Sequence, residues 1–208
     1  MSGFFAVFQQ FVNPVKAYKH AIGYNQNFAV IGTAIVILII GFVPFLFQEA
    51  ELTENDMLLP VLVLLERVIL ASAAGLAVYI LSFALGGKKP LLPAIVASFL
   101  SMGAFLIILS LLALLGFVFS LPVGFTFSPA ELMMNLPMSK LSVFLILFAG
   151  RLDPASLITV YLWGRGLSIG WDETISYGQR LAWAVYLFGI LLLTLPVFIA
   201  PTGAEGVL

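Results

Sequence analysis

Five long apolar stretches, separated by short polar punctuation, limit what this chain can become. They run through residues 28–47, 58–85, 91–121, 141–163 and 181–200. An α-helix rises ~1.5 Å per residue and a bilayer's hydrocarbon layer is ~30 Å thick, so about 20 apolar residues cross it. Composition points the same way. Hydrophobic residues make up 62% of the chain and charged residues 9%, against about 25% charged in an ordinary soluble domain. The expected fold is all-α and polytopic, with five transmembrane helices.

The polar segments are each shorter than about 25 residues, too short to bury a core of their own. The expected division is therefore an arm, residues 1–26, and one five-helix transmembrane domain, residues 27–208. The chain has no cysteine, which excludes disulfides, thiol chemistry and cysteine-ligated metal. Its single histidine, His20, excludes bis-histidine haem and multi-histidine metal sites within one chain. No cofactor is expected. A formal net charge of −1 argues against nucleic acid as a partner. Lysines follow the first apolar cluster instead of preceding it, and no small-residue cleavage site follows, so the first crossing is expected to be retained.

Basic residues assign each connection a side. The arm carries Lys16 and Lys19, whereas the next connection holds Glu49, Glu51, Glu54 and Asp56 and no base. Lys88 and Lys89 occupy the tight turn after Gly86-Gly87, and residues 122–140 contain only Lys140. Arg165 and Arg180 lie in the connection expected over residues 164–180, and the tail after Ala200 has no base. This alternation predicts an N-inside, C-outside chain.

Phe4, Phe5, Phe8, Phe11 and Val12 recur near helical spacing in the arm, and Asn13-Pro14 breaks that helix. Val15, Tyr18 and Ile22 form a second apolar stripe beside Lys16 and Lys19. Such an amphipathic arm suits an interfacial position on the inner leaflet, or packing against the bundle's own cytoplasmic end. Within the second and third stretches, Ala71, Gly75, Ala94 and Ser98 are small residues on successive turns. They predict a close antiparallel helix pair.

Four charges fall inside the predicted crossings: Glu66 and Arg67 in the second, Arg151 and Asp153 in the fourth. Each costs on the order of 2.5–3.5 kcal/mol to insert, so it normally faces the bundle and finds a partner. Glu66 and Arg151 lie at matching depth counted from the outer helix ends. The expectation is a neutral ion cluster pairing Glu66 with Arg151 and Asp153 with Arg67, which locks the second helix against the fourth, serves as a proton or ion relay, or contacts a partner or lipid headgroup. Pro154 lacks an N–H and disfavours helical backbone at Asp153. The fourth stretch should therefore break, with Asp153 as N-cap and Pro154 at the first helical position.

Three segments stand out: Phe11-Val12-Asn13-Pro14-Val15-Lys16-Ala17-Tyr18 before the first crossing, Gly86-Gly87 ahead of a long third crossing, and Leu152-Asp153-Pro154-Ala155-Ser156-Leu157 followed by Leu162 and Gly166-Leu167-Ser168. In these the chain resembles the Yip-domain (YIPF-type, Ypt/Rab-interacting) membrane proteins of the short prokaryotic type. The resemblance implies five crossings with a cytoplasmic N-terminus and no catalytic residues. Two departures stand out. The long polar N-terminal region that eukaryotic members associate with Rab GTPases has no counterpart in the short arm, so GTPase binding is not expected. Ile158 to Val160 also fill the zone where the family carries a tryptophan.

No nucleophile–base pair, phosphate loop or metal set is visible. The functional expectation is a non-enzymatic integral membrane protein of a bacterial inner membrane. It would act as scaffold, assembly factor or accessory subunit through lipids and other membrane subunits. The alternative is a small transporter or ion-conducting protein built on Glu66, Arg67, Arg151 and Asp153.

Overall fold

A computed structural model describes residues 3–24, 26–41, 58–119, 128–133 and 139–199. All regular structure among them is helical: α1 (Gly3–Val12), α2 (Pro14–Tyr24), α3 (Gln26–Gly41), α4 (Leu58–Ala84), α5 (Leu91–Phe119), α6 (Ala130–Met133), α7 (Lys140–Gly150), α8 (Pro154–Gly170), α9 (Ile175–Thr194) and α10 (Pro196–Ile199). Three segments are long and apolar enough to cross a membrane, Val61–Ala84, Leu91–Phe119 and Ile175–Phe198. A fourth arises if α7 and α8, bent by 58° at their break, count as one span. The apolar part of α3, Ala29–Gly41, is shorter. The rest of the first apolar stretch lies outside the described residues, as do the acidic Glu49, Glu51, Glu54 and Asp56.

α5 is the hub of the bundle, packing against α3, α4 and α8, while α9 covers α8 and part of α4. Its first half is small and apolar, and Ala94, Val96, Ala97, Ser98, Leu100, Gly103 and Ala104 are buried. Small side chains let neighbouring backbones come close. α4 and α5 pack closely there. A Cβ on Gly75 would stand 3.0 Å from the Ile95 Cα, beside the buried Ala71, Ala94 and Ser98.

Two turns close the same end of the bundle. Gly86 has φ +83°, and the Gly87 N–H donates to the Ser82 carbonyl at 2.9 Å. Asp172 has φ +53°, and the Glu173 N–H donates to the Ser168 carbonyl at 2.8 Å. Both are left-handed closures that satisfy carbonyls orphaned at a helix C-terminus. The turns are tied together, because Trp171 Nε1 donates to the Pro90 carbonyl at 2.9 Å and Lys89 forms an ion pair with Glu173.

The break in the fourth stretch falls at the expected residues. Asp153 caps α8, accepting from the Ser156 N–H at 2.9 Å, with Pro154 in the first turn. At the start of α7, Ser139 and Ser142 exchange hydrogen bonds as a capping box. One boundary departs from the sequence reading. α8 continues to Gly170 and α9 begins at Ile175, so residues 171–174 form the whole connection, and Arg165 and Arg180 stand within helices. Glycines weaken an isolated helix by about 1 kcal/mol each, but Gly164, Gly166 and Gly170 here abut Gln179, Tyr18 and Pro93. Packing outweighs propensity.

Candidate functional site

The four charges expected to cluster do not converge. Glu66 is exposed on the outside of α4 and Arg151 is exposed at the α7–α8 break, and no ion pair joins them among the described residues. Helical phase explains this. Leu64, Ala71, Gly75, Val78 and Ser82 form the buried stripe of α4. At about 100° per residue, Glu66 lies roughly 200° from Leu64 and 140° from Ala71, on the opposite side. α4 packs on α5, α3 and α9, not on the α7–α8 unit, which packs instead on α9, α5 and α2. The expected lock between the second and fourth crossings is therefore not made.

Arg67 and Asp153 find other partners. The Arg67 guanidinium lies 5.8 Å from the centroid of the Phe105 ring, a cation–π contact worth about 0.5–2 kcal/mol depending on desolvation. Asp153 is 7% exposed and spends both carboxylate oxygens on Ser156, accepting from its N–H and, at 2.6 Å, from its hydroxyl. Both side-chain oxygens are thus committed to the cap. Nearby, the Tyr186 hydroxyl donates to the Arg151 carbonyl, satisfying a backbone group that the break leaves free.

The arm packs against the bundle. Ala6, Val7, Gln10, Ala17, Tyr18 and Ala21 make a buried face, while Phe8, Phe11, Lys16 and Lys19 lie on the exposed side; the Phe4 side chain lies outside the described residues. Val7 fills the notch at Gly103, where a Cβ would come within 2.9 Å of it. Gln10 is fully buried and bridges three groups: its amide donates to the Val7 and Leu100 carbonyls at 2.9 and 2.8 Å, and its oxygen accepts from the Tyr18 hydroxyl at 3.1 Å. Burial pushes the Tyr18 phenol well above its usual range, so it remains a donor. Its ring covers Gly166, where a Cβ would approach it to 2.3 Å. Gln10 has one sequence signal, an amide beside an apolar helical stripe; its acceptor, 90 residues away, has none.

Backbone meets backbone where α8 and α9 pack together. A Cβ on Gly178 would stand 2.3 Å from the Gly164 carbonyl oxygen and from Ser168 Oγ. Ser168 donates to the Gly164 carbonyl at 3.0 Å, and Gln179 reaches the Tyr161 carbonyl at 2.7 Å. The Arg165 guanidinium lies 5.9 Å from the Tyr161 ring centroid and donates to its hydroxyl at 3.0 Å. Trp163 Nε1 and Arg165 Nε are buried without a hydrogen-bond partner. Among the described residues, no group of three or more His, Cys, Asp or Glu side chains is arranged to hold a metal ion.

Comparison with protein-family models, with curated proteins and with solved structures returned no match for this chain.

Proposed function

We propose that this chain is a non-enzymatic integral membrane protein, acting as scaffold, assembly factor or accessory subunit through helix and lipid contacts. The observation that supports this reading best is where its polar groups go. Asp153, Gln10 and Ser168 are spent on intrachain capping and carbonyl contacts, and Glu66 and Arg151 face outward from the bundle. A charge on the outer surface of an apolar bundle favours recognition of another membrane component over an internal path. Five crossings with the N-terminus inside, in a bacterial inner membrane, belong to the same reading. They rest on the lysine and arginine alternation and on the likeness to short Yip-domain proteins.

A transporter built on Glu66, Arg67, Arg151 and Asp153 is the weaker reading, because a shared path needs those side chains to face one another. Purification in mild detergent, with identification of the chains that co-purify, tests the proposal. Recovery of stoichiometric membrane subunits is the expected result. A chain that purifies with no other membrane protein and supports ion flux in sealed vesicles would overturn it.

A further inference from the structure

Glu66 and Arg151 share an unusual setting: opposite charges, both turned outward, each flanked by exposed apolar residues. Leu62, Leu65, Ile69 and Leu70 surround Glu66 on α4, and Leu145 and Leu147 precede Arg151 on α7. α5 serves as a common ruler for their depth. Leu64 and Leu106 both reach Gly41, and Gly75 rests on Ile95, which places Glu66 roughly level with Ala104. Gly170 abuts Pro93, which places Pro154 roughly level with residue 109. The two charges therefore lie within about two helical turns of the same depth. Glu66 is eight residues into α4, roughly 12 Å along its axis, farther than a carboxylate stem extends.

We infer that a second copy of this chain covers these charges, with Glu66 of one copy pairing with Arg151 of its neighbour. The argument is charge complementarity. An occupant that answers both charges must bring a base for Glu66 and an acid for Arg151 about two helical turns apart in depth, and a second copy carries both. Within one chain the pair is not made, because α4 packs on α5, α3 and α9 and leaves the α7–α8 unit to other neighbours. Between copies, the same side chains complete each other reciprocally across a two-fold interface, or head to tail around a ring. This inference deepens the scaffold reading and rests on it.

Differently tagged copies co-expressed in the native membrane, with tag-to-tag capture and in-membrane cross-linking as readouts, test the pairing. The wild type is expected to capture itself. E66R alone carries two bases at the contact and R151E alone two acids, so each should lose self-capture by at least tenfold. Expressed together, E66R and R151E complement each other and should recover it. Unchanged self-capture by either variant, a mixture no better than its parts, or a wild type that never captures itself would each overturn the inference. If a reversed-charge variant does not accumulate, E66Q and R151Q replace the pair; several-fold weaker capture supports the pairing and undiminished capture overturns it. Loss of the pairing leaves the scaffold reading intact, since that reading depends on chains other than this one.

Discussion

The two halves of the bundle are held by different means. At the end carrying the 86–90 and 171–174 turns, glycine notches are filled by neighbouring backbone and side chains, both turns are closed by left-handed caps, and Trp171 and Lys89 tie them together. Toward the other end, only Leu106 and Ser110 are buried in the second half of α5, and α4 presents Glu66 outward. The first region has its partners within the chain. The second has an apolar surface and, at Glu66 and Arg151, charges without an ion pair among the described residues. The contrast teaches that small residues, not ion pairs, organise this bundle: close backbone contact saturates van der Waals attraction without the desolvation penalty of a buried charge.

The largest test of that contrast is Gly178→Ala. Its new methyl meets a backbone carbonyl that cannot yield, so the expected cost is about 3 kcal/mol or more, or loss of folded protein. Gly189, in the same helix, has open space around it. There the substitution should be neutral or stabilising by up to ~1 kcal/mol. Thermal unfolding in detergent measures both, and equal effects would break the comparison.

Next in size is Gln10→Leu. It removes three hydrogen bonds and leaves the Leu100 carbonyl and Tyr18 hydroxyl buried, at an expected cost of about 1–3 kcal/mol. Limited proteolysis should show earlier cleavage near Asn13 than in the wild type. The two caps come third. Gly86→Ala forces a Cβ into a left-handed position and should cost about 1 kcal/mol, whereas Asp172→Gly relieves such a position and should gain a few tenths to 1 kcal/mol. The opposite signs are read from one pair of melting curves.

The smallest effect belongs to Glu173. The hydrogen bond from Lys89, aided by their attraction, holds its carboxyl below the usual range. The unfolded chain then binds the proton more readily, so the contribution is present above the ordinary carboxylate range and is lost as pH falls through the lowered value. Glu173→Gln should remove that part of the acid limb of a stability profile. It should be largest at low ionic strength, because the pair is partly open to solvent.

Much of the local architecture was legible because its causes are local. Helix existence follows from runs of apolar residues, and the break at Asp153-Pro154 follows from a missing N–H and a side-chain cap, both properties of neighbours in sequence. The end of α8 was not legible. Gly164, Gly166 and Gly170 read as a connection until Gln179, Tyr18 and Pro93 are known to lie against them. The ion cluster failed for a related reason: depth along a helix can be counted from sequence, but facing depends on phase. The buried stripe through Leu64, Ala71, Gly75 and Val78 shows which side of α4 is inward, and Glu66 is on the other.

Composition and periodicity alone determined that this chain is helical, apolar and punctuated for the membrane, since those properties sum over residues regardless of their distant neighbours. Only the tertiary structure decided that Gln10 seeks the Leu100 carbonyl, that the arm fills Gly103 and Gly166, and that Glu66 and Arg151 turn away from each other. Each of those is a choice among neighbours, and helices with nearly uniform apolar faces carry little pattern to announce it. Close packing at a few glycines makes the choice.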